Sequence, residues 1–252
     1  MIAATKTGYL NYRCVQYTSD TTGIVIKMIA SAGTLTDTDG NVYQTVRIGN
    51  QVWMAENLRV TRYNDGTAIT KVTDSAAWTK LTTPAYCYYN NTTNADSIKR
   101  FGALYNWYAV NTMKFAPVGW HVPSDSEWTV MEKYMVLNGY NWDGAKDTLQ
   151  VNKIAKSLAA KTDWNIYPYA DTEMIGFNLT KNNRSGFSAL PGGFRRFDGT
   201  FFSQRITGYW WSASEYDASY AYYRYLSYMS DVLGRYDLSK NCGFSVRLVK
   251  DN

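Results

Sequence analysis

The chain reads Val42-Tyr-Gln-Thr-Val-Arg-Ile48, then Gly49-Asn50, then Gln51-Val-Trp-Met-Ala55, and this is its clearest β-strand pattern. Apolar and polar residues alternate, as they do in strands that bury one face. A Gly-Asn step between two such runs is typical of a tight hairpin turn, because both residues accept the backbone angles that the turn needs. The stretch therefore predicts a β-hairpin, and the rest of the chain can be placed around it.

The chain before the hairpin divides at a turn. Residues 1–36 contain short β-type runs, such as Tyr9-Leu-Asn-Tyr12 and Ile24-Val-Ile26, separated by turn residues. We expect this strand-rich segment to serve attachment or oligomerisation, because it cannot bury much apolar surface alone. Thr36-Asp-Thr-Asp-Gly-Asn41 then predicts a turn rather than a calcium loop, since its acidic spacing is wrong and no glutamate closes it. The main domain is assigned to residues 37–252.

Helical signals occur in the middle of the chain. A first helix is predicted after Arg100, on residues at helical spacing: Leu104, Trp107, Tyr108 and Asn111. A second begins at Ser124-Asp-Ser-Glu127, a capping box in which the serine and glutamate side chains satisfy free amides of the first turn. Its expected buried stripe and C-terminal glycine are Trp128, Met131, Met135 and Gly139.

A third helix is predicted over residues 152–161, with Ile154, Ala155 and Leu158 facing inward. After Phe177, glycine-rich turns, aromatic doublets and alternating apolar residues predict many short strands. Strands, then helices, then strands again indicate an α+β domain.

Eight sequence motifs resemble those of one known family. They are Gly40-Asn-Val-Tyr-Gln-Thr-Val-Arg-Ile-Gly49, Trp53-Met-Ala-Glu-Asn-Leu-Arg59, Tyr63-Asn-Asp-Gly66, Gly102-Ala-Leu-Tyr-Asn-Trp-Tyr-Ala-Val110, Gly119-Trp-His-Val-Pro-Ser-Asp-Ser-Glu-Trp128, Gly186-Phe-Ser-Ala-Leu-Pro-Gly-Gly193, Trp210-Trp-Ser-Ala-Ser-Glu215 and Gly243-Phe-Ser-Val-Arg-Leu-Val249. In this order they resemble the Fibrobacter succinogenes major paralogous domain, which is common in Bacteroidetes. The resemblance implies a C-type-lectin-like fold, in the branch with formylglycine-generating enzymes and retroelement-diversified proteins. It also implies that the last strands pair near the start of the domain.

Composition argues against several classes of partner. The 26 basic and 21 acidic residues leave a charge of +5 without a dense basic run, so no nucleic acid is expected. The longest apolar stretch, Gly23–Ala30, contains a lysine and is too short for a bilayer, so no membrane insertion is expected. Cys14, Cys87 and Cys242 are predicted to be buried free thiols, with one disulfide left open. The N-terminus lacks the pattern of a signal peptide, which predicts a protein not exported by the standard route.

The inventory of reactive residues predicts no enzyme and no cofactor. His121 is the only histidine, which excludes multi-histidine metal sites, and we expect it to be a buried, hydrogen-bonded structural residue. Formylglycine-generating relatives use a cysteine pair, and Cys242 has no nearby partner. The Glu-Pro-Asn and Gln-Pro-Asp triplets of calcium-dependent lectins are absent, although structural calcium elsewhere stays open. A carboxylate pair for glycoside cleavage also stays open, because its separation is a three-dimensional quantity.

Residues 209–236 hold eight of the 22 tyrosines, interleaved with serine and aspartate. This composition is typical of adaptable binding surfaces, because tyrosine gives a large rigid contact and serine gives small hydrogen-bonding groups. The alternative is a set of aromatic core strands. In retroelement-diversified relatives the variable positions lie in this last part of the fold, and adenine-directed mutation yields tyrosine, serine and aspartate.

The resemblance separates this region into a frame and a variable set. Trp210-Trp-Ser212, Tyr223-Arg224 and Gly243-Phe-Ser-Val-Arg247 look fixed, and the tryptophans are expected in the core. The positions that look free form the predicted ligand-binding set: Tyr222, Tyr225, Ser227, Tyr228, Ser230, Asp231, Tyr236, Asp237 and Asn241.

The sequence therefore predicts a non-enzymatic receptor- or ligand-binding protein displayed on a larger assembly. A phage tail tip is the specific expectation, because a virion protein leaves the cell by lysis and needs no signal peptide. The expected partners are a host cell-surface protein or glycan and other virion or surface-assembly subunits, and the chain is expected to form a homo-oligomer. The alternative is a bacterial cell-surface adhesin or carbohydrate-binding domain.

Overall fold

Strands outnumber helices in the computed structural model, which describes residues 31–169 and 172–251. The strands are β1 (Ser31–Thr36), β2 (Val42–Ile48), β3 (Gln51–Met54), β4 (Thr70–Lys71), β5 (Ala85–Cys87), β6 (Leu104–Tyr105), β7 (Trp120–His121), β8 (Gly192–Arg195), β9 (Phe201–Gln204), β10 (Thr207–Glu215), β11 (Tyr220–Ser227), β12 (Gly234–Ser239) and β13 (Val249–Lys250). The helices are α1 (Ser75–Thr79), α2 (Ala95–Phe101), α3 (Trp107–Val110), α4 (Asp125–Leu137) and α5 (Ala155–Leu158), with 3₁₀ turns at Tyr89–Asn91 and Leu179–Lys181.

The described strands form three sheets, in the orders β1-β2-β3-β13-β7, β12-β11-β10-β8-β9 and β4-β5-β6. The predicted hairpin is confirmed, because β2 pairs antiparallel with β3 across a turn in which Gly49 has φ 63°. The final strand β13 pairs with β3, Val249 opposite Trp53, so the end of the chain returns to its beginning. The architecture is a mixed α+β domain, as the sequence predicts.

The first sheet includes residues that the sequence places in the N-terminal segment. β1 pairs with β2 from Thr36 opposite Val42 back to Ser31 opposite Val46, and Leu35 is buried in the core. The turn over residues 37–41 is confirmed, but it joins two paired strands instead of two units. Residues 31–36 of the expected N-terminal segment therefore pair with the main domain, and the boundary at residue 36 stays a prediction. The strands predicted at residues 9–12 and 24–26, like Cys14, lie outside the described residues.

Helix α4 is confirmed in detail. The Ser124 side chain accepts a hydrogen bond from the backbone N–H of Glu127, whose carboxylate accepts one from the Ser124 N–H. The Trp128, Met131 and Met135 side chains are fully buried. Gly139 follows the helix with φ 72°, the left-handed angle expected of a C-terminal glycine.

The other two predicted helices are wrong in extent. Leu104 and Tyr105 form strand β6, because both side chains are buried and their backbone pairs with β5, so helix α3 starts only at Trp107. In the third predicted helix, Ile154, Ala155 and Leu158 are buried as expected, but only residues 155–158 are helical. Ala159 is extended because it bridges to Ala189.

A single C-terminal segment, residues 242–250, links the three sheets. Isolated bridges join Phe244 to Tyr105, Gly243 to Arg195, and Ser245 to Trp210, and β13 then enters the first sheet. Each sheet therefore takes part of its backbone pairing from this one segment.

The Arg247 guanidinium is fully buried on this segment and forms no ion pair with any carboxylate among the described residues. It donates to the Asn57 side-chain oxygen at 3.0 Å and to the carbonyls of Phe187 and Ser188. The Asn57 side chain makes further hydrogen bonds: its oxygen also accepts from Trp210 Nε1, and its amide donates to Phe101 O and Ser245 Oγ. This network, the Asn57–Arg247 network, joins four of the sequence motifs in the core.

Replacing Arg247 by methionine should destabilise the protein strongly. The change removes the donor to the Phe187 and Ser188 carbonyls, at a cost of roughly 1–3 kcal/mol for each such group, and it removes one of the two donors to the Asn57 oxygen. We expect the free energy of unfolding in urea to fall by at least about 3 kcal/mol. Arg62→Met is the matched control, because that side chain is 56% exposed and its ion pair with Asp39 lies on the surface, so about 1 kcal/mol or less is expected. If the two variants lose the same free energy of unfolding, Arg247 contributes no more to stability than an exposed arginine does.

Candidate ligand-binding surface

The tyrosine-rich segment contributes to β10, β11 and β12, three of the five strands of the second sheet. Its predicted frame is buried: Trp210, Trp211, Ser212, Arg224 and residues 244–247 are at most 1% exposed. Tyr223 is half-buried. The nine predicted ligand-binding positions differ from them, because none is buried and Tyr236 is 60% exposed. Apart from Tyr223, the division into frame and variable set therefore coincides with the division into buried and partly exposed residues.

The structure distributes the nine positions over both faces and both ends of the sheet. Tyr225, Ser227 and Tyr236 share one face, and Tyr222 and Asp237 pair in register on the other. The guanidinium of Arg235 lies 4.1 Å above the Tyr222 ring.

The remaining four lie beyond the strand ends. Tyr228 packs on the core beside Tyr167, Asp231 accepts from Trp142 Nε1, Ser230 lines a groove described below, and Asn241 follows β12. The two ends of the eight-residue β11 are about 24 Å apart. The nine positions therefore do not form one compact patch.

A row of aromatic rings crosses the sheet on the face of Tyr225. Each of the five strands contributes one ring, and the row runs Tyr236, Tyr225, Tyr209, Phe194, Phe202. Successive ring centres are 6.0, 6.2, 4.7 and 6.1 Å apart. The row spans roughly 19 Å, four strand spacings, and its terminal rings are exposed.

One buried residue of the frame, Phe244, packs against this aromatic row. The buried Phe244 ring lies 5.1 Å from Tyr209 and 5.8 Å from Phe194. Sequence analysis missed Phe194, Phe202 and Tyr209, because the row depends on the order of strands in the sheet. Aromatic doublets after Phe177 were the one local signal.

A groove of about 690 Å³ lies at the β12 edge, between this strand, helix α4 and residues 150–152. Tyr225 and Tyr236 belong to its lining, which makes the groove continuous with the aromatic row. Gly234 is required here, because a side chain on it would meet the Tyr225 ring at 2.0 Å. The polar lining is Asp125, Thr129, Glu132, Gln150, Asn152, Ser230 and Arg235.

The two carboxylates of the groove differ in their partners. Asp125 accepts from Arg224 at 2.6 Å and from Arg235 at 2.9 Å. Burial alone would raise the pKa of Asp125, but the two guanidinium groups hold it below its ordinary value. Glu132 accepts from the Asn152 amide at 3.0 Å and has no ion pair among the described residues. Burial therefore raises the pKa of the Glu132 carboxyl. Sequence analysis missed Glu132 and Arg235, since their partners lie far away along the chain.

His121 is hydrogen-bonded as predicted, but its side chain is 40% exposed and so is not buried. It stands at the surface because β7 is the outer strand of the first sheet. Nδ1 lies 2.6 Å from Asp251 Oδ1 and Nε2 lies 2.7 Å from Glu127 Oε1. Ser124 Oγ donates to Glu127 instead of to the imidazole. Both ring nitrogens face carboxylates, so this geometry does not form a Ser-His-Asp triad.

Protonation of His121 should stabilise the fold. Partial burial would lower its pKa, but the hydrogen bonds to Asp251 and Glu127 raise it above the ordinary value. A raised pKa contributes stability that is present below the unfolded pKa of about 6.5 and is lost as pH rises through the folded pKa. The pKa of Glu127 is lowered, so its own contribution is lost only in acid.

We expect the melting temperature of the wild type to fall between about pH 6 and pH 8. The His121→Gln variant keeps a hydrogen-bonding side chain but does not titrate, so its melting temperature should change less over this range. Calorimetry of the two proteins across the range makes the comparison. Parallel curves would show that the imidazole does not couple to folding.

The described residues include no group of three or more histidine, cysteine, aspartate or glutamate side chains placed to hold a metal ion. Cys87 and Cys242 are buried free thiols, as predicted, and burial raises the pKa of each to about 12. In the part of the chain covered by the structure, no helix is long and apolar enough to cross a membrane.

These features define a class: an α+β domain whose last strand closes its first sheet and whose second sheet carries an accessible, tyrosine-rich surface. Within that class, the chain belongs to the family of the Fibrobacter succinogenes major domain, whose sequence profile matches residues 46–250. This confirms the family suggested by the sequence motifs. Searches of curated proteins and of solved structures found no match.

Proposed function

We propose that this chain is a non-enzymatic binding module that contacts its partner through the tyrosine-rich sheet. The observation that carries the proposal is that the division into fixed and free positions follows the burial of their side chains. Every position that looks fixed by family resemblance is buried except the half-buried Tyr223, and none of the nine that look free is buried. A surface selected for contact can vary without loss of the fold only if its residues lie outside the core.

We further infer that the fold is C-type-lectin-like. The support is topological: β13 closes the sheet that β2 and β3 begin, and helix α4 packs between that sheet and the strand β10. In a fold of this kind β10–β12 would form the variable part that the resemblance implies, and this agreement supports the inference.

Tyr225 and Tyr236 are the best placed of the predicted contact residues. Tyr236 is the most exposed, and both rings line the groove and stand in the aromatic row. Tyr222 is covered by Arg235 and Tyr228 packs on the core, so we expect these two to contribute less.

Truncating Tyr236 to alanine should weaken binding to isolated host envelopes by about 2 kcal/mol, close to 30-fold, as loss of an interface anchor does. The melting temperature should change little, because an exposed ring leaves no cavity. Tyr220→Ala is the matched control, since Tyr220 is 41% exposed on the opposite face of β11, and it should retain affinity. An early-melting Tyr236→Ala variant with unchanged affinity would show that the segment serves only the fold.

The proposed place of display is a phage tail tip, with a bacterial cell-surface adhesin or carbohydrate-binding domain as the second candidate. The groove beside the aromatic row favours the second, because it is large enough for a small ligand. Mass spectrometry of purified virions and of cell envelopes distinguishes the two. We expect the protein among virion proteins, and its presence only in envelopes would end the phage proposal. Attachment or oligomerisation is the role proposed for residues 1–36.

A further inference from the structure

The groove at the β12 edge combines one aromatic wall with several planar polar groups. Tyr225 and Tyr236 form the wall, with ring centres 6.0 Å apart. Glu132, Gln150 and Arg235 line the same groove with planar polar groups. Part of each group is already bound: Arg235 Nε and Nη2 donate to Asp125, Gln150 Nε2 donates to Asp147, and Glu132 Oε1 accepts from Asn152. Ligand sites generally pair apolar surface with a few convergent polar groups in this manner.

The charges of the groove favour an uncharged ligand. The negative charge of Asp125 is offset by Arg224 and Arg235, which both bind it directly. The two positive charges of Arg224 and Arg235 balance the two negative charges of Asp125 and Glu132, and Glu132 is the carboxylate of the groove that has only the Asn152 amide as its direct partner. An anionic ligand would be repelled at short range by this half-buried carboxylate. Hydroxyl donors would satisfy its free oxygen instead.

Among neutral ligands, sugars match both halves of this lining. A pyranose has an apolar C–H face that packs on aromatic rings, and adjacent hydroxyls that planar carboxylate, amide and guanidinium groups can bind in pairs. The aromatic row continues from Tyr225 to Phe202 with ring centres 4.7–6.2 Å apart, close to the length of one sugar unit. The groove thus suits one sugar residue and the row suits those that follow it.

We propose that the groove binds one residue of a neutral glycan without calcium, and that the aromatic row carries the adjoining sugar units. The inference rests on the proposed binding function and identifies the ligand class for this surface. A protein partner is the principal alternative, and it becomes an outcome of the test.

The test uses the full chain and a panel of neutral oligosaccharides, namely β-linked glucose, β-linked N-acetylglucosamine and α-linked mannose hexamers. Matched uronic acid oligomers supply the negative charge. Isothermal titration and tyrosine-resonance shifts, each with and without EDTA, measure binding. We expect at least one neutral hexamer to bind at millimolar concentration or below, with unchanged affinity in EDTA and weaker binding of the acidic oligomers.

Two variants assign the site. Tyr236→Ala should lower the affinity for the neutral hexamer at least tenfold, whereas Tyr220→Ala should leave this affinity unchanged. Glu132→Gln keeps the shape of the side chain and removes its charge. The ratio of the affinity for neutral oligomers to that for acidic oligomers should therefore fall severalfold. A purely structural role of Glu132 would not change that preference.

Three results would overturn the glycan proposal: no neutral hexamer bound at 10 mM (about the weakest affinity of interest), binding that EDTA abolishes, or binding that Tyr236→Ala leaves intact. The proposed function can survive such a failure. If isolated envelopes treated to remove glycans still bind the wild type but not Tyr236→Ala, the surface recognises a protein. If neither glycans nor envelopes depend on Tyr236, both proposals fail.

Discussion

The fold depends on one buried cation, the Arg247 guanidinium. Burial lowers its pKa more than the nearby Glu56 carboxylate raises it. No described carboxylate forms an ion pair with it, so its hydrogen bonds to Asn57 and to the backbone carbonyls of Phe187 and Ser188 must compensate for lost water. These acceptors belong to distant segments, which can meet the guanidinium only if the whole chain has reached its native topology. The same contact therefore fixes β3, the segment before β8 and the C-terminal segment in one arrangement. Asn57 extends the network to Trp210, and so to the strand from which the tyrosine-rich surface starts.

This position of the network explains how an accessible sheet can carry an unusual number of tyrosines without losing its structure. Three fully buried side chains hold β10 and β11 in place by packing in the core, namely those of Trp210, Trp211 and Arg224. Phe244, from the Arg247 segment, supports the aromatic row directly. The partly exposed side chains of the sheet contribute contact surface, and the buried residues of the frame contribute the stability. The separation lets one part of the chain vary for recognition while the other is held by packing.

Local patterns in the sequence predicted what local physics decides. The hairpin at Gly49, the capping box at Ser124 and the α+β class follow from turn angles, amide capping and periodicity. The helix predicted through Leu104 was wrong because its residues pair in a sheet whose other strands lie elsewhere in the chain. The aromatic row could not be predicted for the same reason, since neither Phe194 nor Phe202 is near Tyr236 in sequence. For the candidate site, the accessible positions were identified, but their division between two faces required the register of β11 and β12.

The central claim is that stability and recognition reside in separate layers of this sheet. It is tested most directly by a library in which all nine accessible positions vary together among tyrosine, serine, aspartate and asparagine, with proteolysis resistance measured for every member. The account predicts that most members remain folded and resist protease about as well as the parent, because none of the nine side chains is buried and only Tyr228 among them packs against the core. If most members are digested as unfolded chains, the accessible residues are part of what holds the protein together, and the separation does not exist.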